Sequence, residues 1–260
     1  MLSKAIPNRI AFFFGALQYS GRMTRRLAWL LTLLVCATAA QAASVAPPRL
    51  CTAADGVPAK LPNDEHGVPL TFKRCHHWVD RSGEYQLWLL ASDDRVIDDY
   101  HLSRSLAAQL FQKQPDGTLA PRWLIRDRVA QFEAGAWFSQ HLTEFPDLDG
   151  QGVLTPILVL RFVPEQDNPQ AEDPVKSGPF EGRLKLVFFH DGTKVAVRAV
   201  TGELDDERHT TATDSYFTLP PSWRQHVEGL LRRWHEEQVF VSDDSRPAFV
   251  PKRERDPRVR

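Results

Sequence analysis

The chain has 260 residues, 42 % of them hydrophobic and 25 % charged, which suits one large domain or two small ones with ample core. Its formal net charge is −1, but residues 1–42 hold five of the 32 basic residues and none of the 33 acidic ones, so the remainder carries −6. That mildly acidic balance excludes nucleic acid and anionic membrane as expected partners.

The first 42 residues form a secretory pattern. Lys4, Arg9, Arg22, Arg25 and Arg26 are the only charges, an apolar stretch follows from Leu27, and Ala40-Gln41-Ala42 supplies a small-x-small end. The apolar stretch is shorter than the about 20 residues a spanning helix needs. Met23 stands immediately before "TRRLAW", where a signal peptide's own initiator belongs. The expectation is a signal peptide over residues 1–42 with its true start at Met23, a mature chain from about Ala43 that is periplasmic or secreted, and no integral membrane span after cleavage. Cleavage removes Cys36 and leaves Cys51 and Cys75 as an even pair without a C-x-x-C spacing. In an oxidising compartment such a pair predicts a disulfide.

Residues 43–69 are rich in Pro, Ala, Gly and Asp without periodicity, which predicts an extended arm fastened through Cys51. The body opens at about Leu70. A turn at Arg81-Ser82-Gly83 leads into a strand from Glu84 to Ala91, and Pro115-Asp116-Gly117 separates two further strand-like runs. Asp191-Gly192, two turn residues between alternating runs, predicts a tight hairpin. Val153 to Val163 reads as another strand, with Pro156 placing it at an edge or near a strand start. Pro164 to Pro179 reads as a long polar loop. In the last periodic segment Trp223, Val227, Leu230, Leu231 and Trp234 share one helical face, Ser222 with Gln225 resembles a capping box, and Gly229 weakens the helix. The tail over residues 245–260 alternates charge with proline and predicts disorder. The predicted fold class is mainly β (α+β): an antiparallel, hairpin-rich sheet or sandwich over residues 70–240, with the C-terminal helix packed on it.

Candidate chemistry is sparse. "DLDGQG" places Asp147, Asp149 and Gln151 at alternate positions beside Gly150 and Gly152, as a calcium loop does, but Thr155 stands where the closing carboxylate belongs. The loop therefore reads first as a turn whose Asp side chains cap local backbone N–H groups, and second as a weak calcium site; no other cofactor is expected. His76 and His77 are adjacent on a strand, point to opposite faces and cannot easily serve one ion. "HEEQV" at His235 lacks the second histidine of a zinc motif, and nucleophile-elbow, phosphate-loop and dinucleotide patterns are absent. Acidic pairs such as Asp93-Asp94, Asp98-Asp99 and Asp205-Asp206 read as solvated turns. Tryptophan is the better lead, because its ring stacks on sugar faces and anchors interfaces. Trp78, Trp88, Trp123 and Trp137 lie on or beside predicted strands.

Taken together, "WVDRSGEYQLWLL" (Trp78, Asp80, Gly83, Glu84), "RWLIRD" (Trp123, Asp127), "FPDLDGQG" (Asp147, Asp149, Gly152), "LKLVFFHDGTKVAVRAVTG" and the closing Trp-containing helix resemble a family of exported bacterial proteins described as surface-polysaccharide (lipopolysaccharide) biosynthesis proteins. The resemblance spans about Leu70 to Glu237 and implies an exported β-rich domain. It makes Trp78, Asp80, Trp123 and Asp127 candidate ligand contacts. The expected function is a non-catalytic binding or accessory protein of the cell envelope, with an envelope protein or glycan as partner. The alternatives are an envelope-glycan enzyme and a calcium-stabilised structural or adaptor module.

Overall fold

Period-two alternation of apolar residues folds about half of the described residues into mainly antiparallel strands stacked in two sheets, seen here in a computed structural model. The structure describes residues 45–56, 61–92, 95–97, 100–165, 182–202, 206–246 and 249–254. The segments expected to be a signal peptide and, beyond Glu165, a polar loop lie outside those residues, as do the Asp93-Asp94 and Asp98-Asp99 pairs, Asp205 and residues 255–260.

The first sheet orders as β1-β2-β3-β6-β7, from β1 (Arg49–Leu50), β2 (Thr71–Asp80), β3 (Gly83–Ala91), β6 (Ser105–Lys113) and β7 (Leu119–Arg128). β4 (Arg95–Ile97) and β5 (Tyr100–Leu102) form a separate two-stranded ribbon. The second sheet orders as β13-β12-β11-β10-β9-β8, from β8 (Glu133–Phe138), β9 (Leu158–Pro164), β10 (Gly182–His190), β11 (Thr193–Thr201), β12 (His209–Ala212) and β13 (Lys252–Arg253). Both expected hairpins form. At the β10–β11 turn Asp191 and Gly192 take φ of 47° and 74°, the left-handed pair that a two-residue hairpin needs.

Alternation gives each sheet two different faces. Leu87 and Leu89 of β3, Leu106 and Ala108 of β6, and Ile125 of β7 pack against Leu158, Leu160 and Phe162 of β9 to form the core between the sheets. On the far side of the second sheet, Val159, Leu184, Leu186, Val195 and Val197 meet helix α2 (Pro221–Glu236). That helix follows a single turn, α1 (Asp214–Phe217), and buries Trp223, Val227, Leu230, Leu231 and Trp234, the face its periodicity predicts. The outer face of the first sheet (Cys75, Trp88, Leu90, Ala107, Phe111) is covered by the arm.

Three expectations need correction. The strand expected from Val153 begins at Leu158, because the preceding backbone is engaged elsewhere: Leu154 N–H donates to Asp80, and Thr155 N–H to the Pro146 carbonyl. Pro156, which has no N–H for a ladder, stands just before the strand start, the second of its two expected places, since β9 lies between β8 and β10 and is no edge. The helix has no Ser222–Gln225 capping box: Pro220 is its N-cap and Pro221 occupies the first position, where a missing N–H costs nothing. Within the tail, expected to be disordered, Lys252–Arg253 form β13 and pair in parallel with β12.

The arm, too, is held at more points than its disulfide. Cys51 and Cys75 are bonded, with Cα atoms 5.3 Å apart. Gln86, 1 % exposed, donates to the Asp55 carbonyl at 2.6 Å and accepts Trp88 Nε1–H at 3.0 Å. The Asp64 carboxylate accepts His66 N–H, Val68 N–H and the Ser105 hydroxyl and lies 3.3 Å from Arg128. Burial works against ionisation of Asp64, but these bonds outweigh it and hold its carboxyl below the ordinary value.

Candidate functional site

One mouth of the sandwich is closed by the "DLDGQG" loop, and the two aspartates act differently there. Asp147 caps its own turn: Oδ1 accepts Gln151 N–H at 3.0 Å and Oδ2 accepts Gly152 N–H at 2.7 Å. Gly150 and Gly152, at φ of 65° and 74°, supply the left-handed conformations of that turn. Asp149, expected to do the same, instead accepts the indole N–H of Trp223 on α2 at 2.7 Å. The Gly152 carbonyl accepts Arg81 N–H at 2.9 Å, so the loop ties the β2–β3 turn to the helix beyond the second sheet. Among the described residues no three His, Cys, Asp or Glu side chains are placed to hold one metal ion.

Beside the loop opens a cleft of about 320 Å³, at the small end of the about 300–1,000 Å³ typical of ligand pockets. Its wall on the first sheet is a row of side chains, Trp78, Tyr85, Leu110 and Trp123, from four neighbouring strands. At about 4.8 Å per strand the row extends about 14 Å. Trp78 and Tyr85 are stacked with centroids 5.4 Å apart, and Trp123 stacks on Phe189 of the second sheet at 4.8 Å and 12°. The opposite wall comes from Phe189 to Gly192 at the hairpin tip, the loop from Val153 to Pro156, and Trp223. Polar groups converge there: Asp149 and Asp191 from the second wall, His190 beside them, Arg122 and Ser82 from the first.

Two carboxylates brace the tryptophans. Asp80 Oδ2 accepts Trp78 Nε1–H at 3.1 Å and Leu154 N–H at 3.0 Å, while Oδ1 accepts Ser82 N–H and hydroxyl. Asp149 does the same for Trp223. Of the predicted ligand contacts, Trp78 and Trp123 line the cleft, whereas Asp80 stands behind it as a support. Asp127 is elsewhere: it crosses the interior to pair with Lys185 of β10, both largely buried, with side chains 11 % and 7 % exposed. Burial lowers the Lys185 ammonium below the ordinary lysine value, and the Asp127 charge works against that shift.

The adjacent histidines diverge as predicted. His77 is buried on the outer face and bonds Glu84 at 2.8 Å. His76 points inward against Phe145, ring centroids 5.1 Å apart, and burial, aided by the Arg74 charge, lowers it to about 4. Sequence reasoning missed Tyr85, Arg122 and Phe189 as cleft residues. Tyr85 and Phe189 look like ordinary strand positions, and Arg122 reaches the cleft only through a register irregularity in β7.

Comparison with known protein families, curated proteins and solved structures finds no match to this chain. Among the described residues no helix is long and apolar enough to cross a membrane.

Proposed function

We propose that the protein is an exported, non-catalytic saccharide-binding or accessory protein of the cell envelope, acting through the cleft at the sandwich mouth. The observation that carries the reading is the aromatic row of Trp78, Tyr85 and Trp123, facing hydroxyl-accepting carboxylates at Asp149 and Asp191. Aromatic faces pack on the C–H face of a sugar while flanking polar groups take its hydroxyls. The N-terminal secretory pattern and a disulfide suited to an oxidising compartment support export.

The test is calorimetric titration of protein purified after export of the full chain, against neutral and acidic oligosaccharides. Saturable binding is expected, and Trp123→Ala should weaken it about tenfold or more, as loss of a central aromatic anchor does. Absence of saccharide binding, or binding untouched by Trp123→Ala in a protein of unchanged stability, would overturn the reading.

The pair Asp149 and Asp191 favours a second reading, an enzyme acting on envelope glycan. It ranks below binding because the Asp191 side chain is 90 % exposed, and full solvation does not prepare a carboxyl to act as a general acid. Release of reducing ends from polysaccharide, abolished by Asp149→Ala, would reverse that ranking.

A further inference from the structure

Arg122 occupies an unusual place in β7. Leu110 of β6 pairs with Trp123 and Phe111 pairs with Pro121, so Arg122 is an extra residue with no partner in the ladder. Such a bulge bends the strand and re-aims side chains, and bulges recur next to binding sites for that reason. Here both Arg122 and its neighbour Trp123 line the cleft, although strict alternation would send them to opposite faces. The guanidinium is exposed and makes no hydrogen bond, ion pair or ring contact among the described residues. Other arginines, such as Arg49, Arg183 and Arg233, are each paired with a carboxylate.

We infer that Arg122 makes the cleft selective for a saccharide bearing a carboxylate, a hexuronate-type sugar; the inference rests on the saccharide-binding reading above. The planar fork of an arginine matches a carboxylate with two parallel N–H···O bonds, and among the described residues no partner has to be displaced. Asp149 and Asp191 lie on the opposite wall, where they accept sugar hydroxyls. One Asp149 oxygen is already engaged by Trp223. An acidic sugar is thereby oriented, its carboxylate toward β7 and its hydroxyls toward the hairpin tip. The net charge of −6 expected for the mature chain does not oppose this at short range, because charges beyond about 8 Å are screened at physiological ionic strength.

Calorimetric titration of protein purified after export of the full chain, with digalacturonate and with its methyl ester, separates this inference from the broader one. The ester keeps the ring shape and removes the charge. The acid should bind about tenfold or more tightly than the ester, as a charge-assisted hydrogen bond implies. Arg122→Gln should abolish that preference with unchanged urea unfolding, and Arg122→Lys should restore part of it. Equal binding of acid and ester, binding of neutral sugars alone, or an acid preference that survives Arg122→Gln would overturn the assignment while leaving a saccharide site in place. If no saccharide binds, the broader reading falls and this one with it.

Discussion

Removing the Asp127 carboxylate should be among the most damaging single substitutions in the domain. Asp127 of β7 and Lys185 of β10 form an ion pair across the sandwich interior, with side chains 11 % and 7 % exposed. On the facing sides of the two sheets lie the buried Leu106 and Ile125 of the first and Leu160, Phe162 and Val187 of the second, so little water is available to either charge. Asp127→Ala strands the ammonium of Lys185, whose protonation burial already disfavours. Breaking a buried pair from one side costs about 3–5 kcal/mol, a large fraction of the about 5–15 kcal/mol that stabilises a typical domain. The pair itself is a different quantity, because desolvating both ions offsets most of their attraction. Asp127→Leu combined with Lys185→Met should therefore return stability to within about 1 kcal/mol of the parent, or above it. Urea unfolding of the two singles and the double, compared at equal slope, measures the coupling. A loss below about 1 kcal/mol for Asp127→Ala, or a double variant no better than the worse single, would refute a buried, desolvated pair.

Asp149→Ala should cost about 1 kcal/mol through the lost Trp223 bond, and millimolar calcium should leave the melting temperature almost unchanged; a rise of several degrees with calcium, abolished by that substitution, would restore a metal role to the loop. Reducing the Cys51–Cys75 disulfide, which closes a separation of 24 residues, should cost about 3 kcal/mol, and free thiols in exported protein would contradict the bond. Asp64→Ala leaves two backbone N–H groups and the Ser105 hydroxyl without their acceptor, so a loss of about 2–3 kcal/mol and faster proteolysis within residues 45–69 are expected. His76 titrates at about 4 in the fold against 6.5 when unfolded, so the unfolded chain binds more protons between those values and stability falls as pH drops from 6.5 toward 4. Discounted for its remaining exposure the effect is about 1–2 kcal/mol, and His76→Gln should flatten the stability profile over that window; an unchanged slope would contradict a buried, neutral His76.

Much of the fold was legible because its signals are local. Asp191-Gly192 demands left-handed backbone at adjacent residues, and the helix's apolar stripe repeats within a few turns; neither needs a distant partner. The disulfide was legible from chemistry and arithmetic, since only two cysteines remain after Ala42. The loop's chemistry was not: Asp147 and Asp149 have the same sequence environment, yet one caps its own turn and the other bonds Trp223, 74 residues away. Asp127 resembled a ligand contact until β10 brought Lys185 to it across 58 residues. Strict alternation would face Arg122 away from Trp123, and only the mismatch between β6 and β7 turns it into the cleft. Propensity and periodicity are properties of a segment, so the amino-acid order alone determined the strands flanking the tight turns and which face of the helix is buried. A carboxylate's partner, a bulge's position and the convergence of aromatic rings from four strands depend on how separate segments register against one another, and that was decided only when the two sheets closed on a shared core.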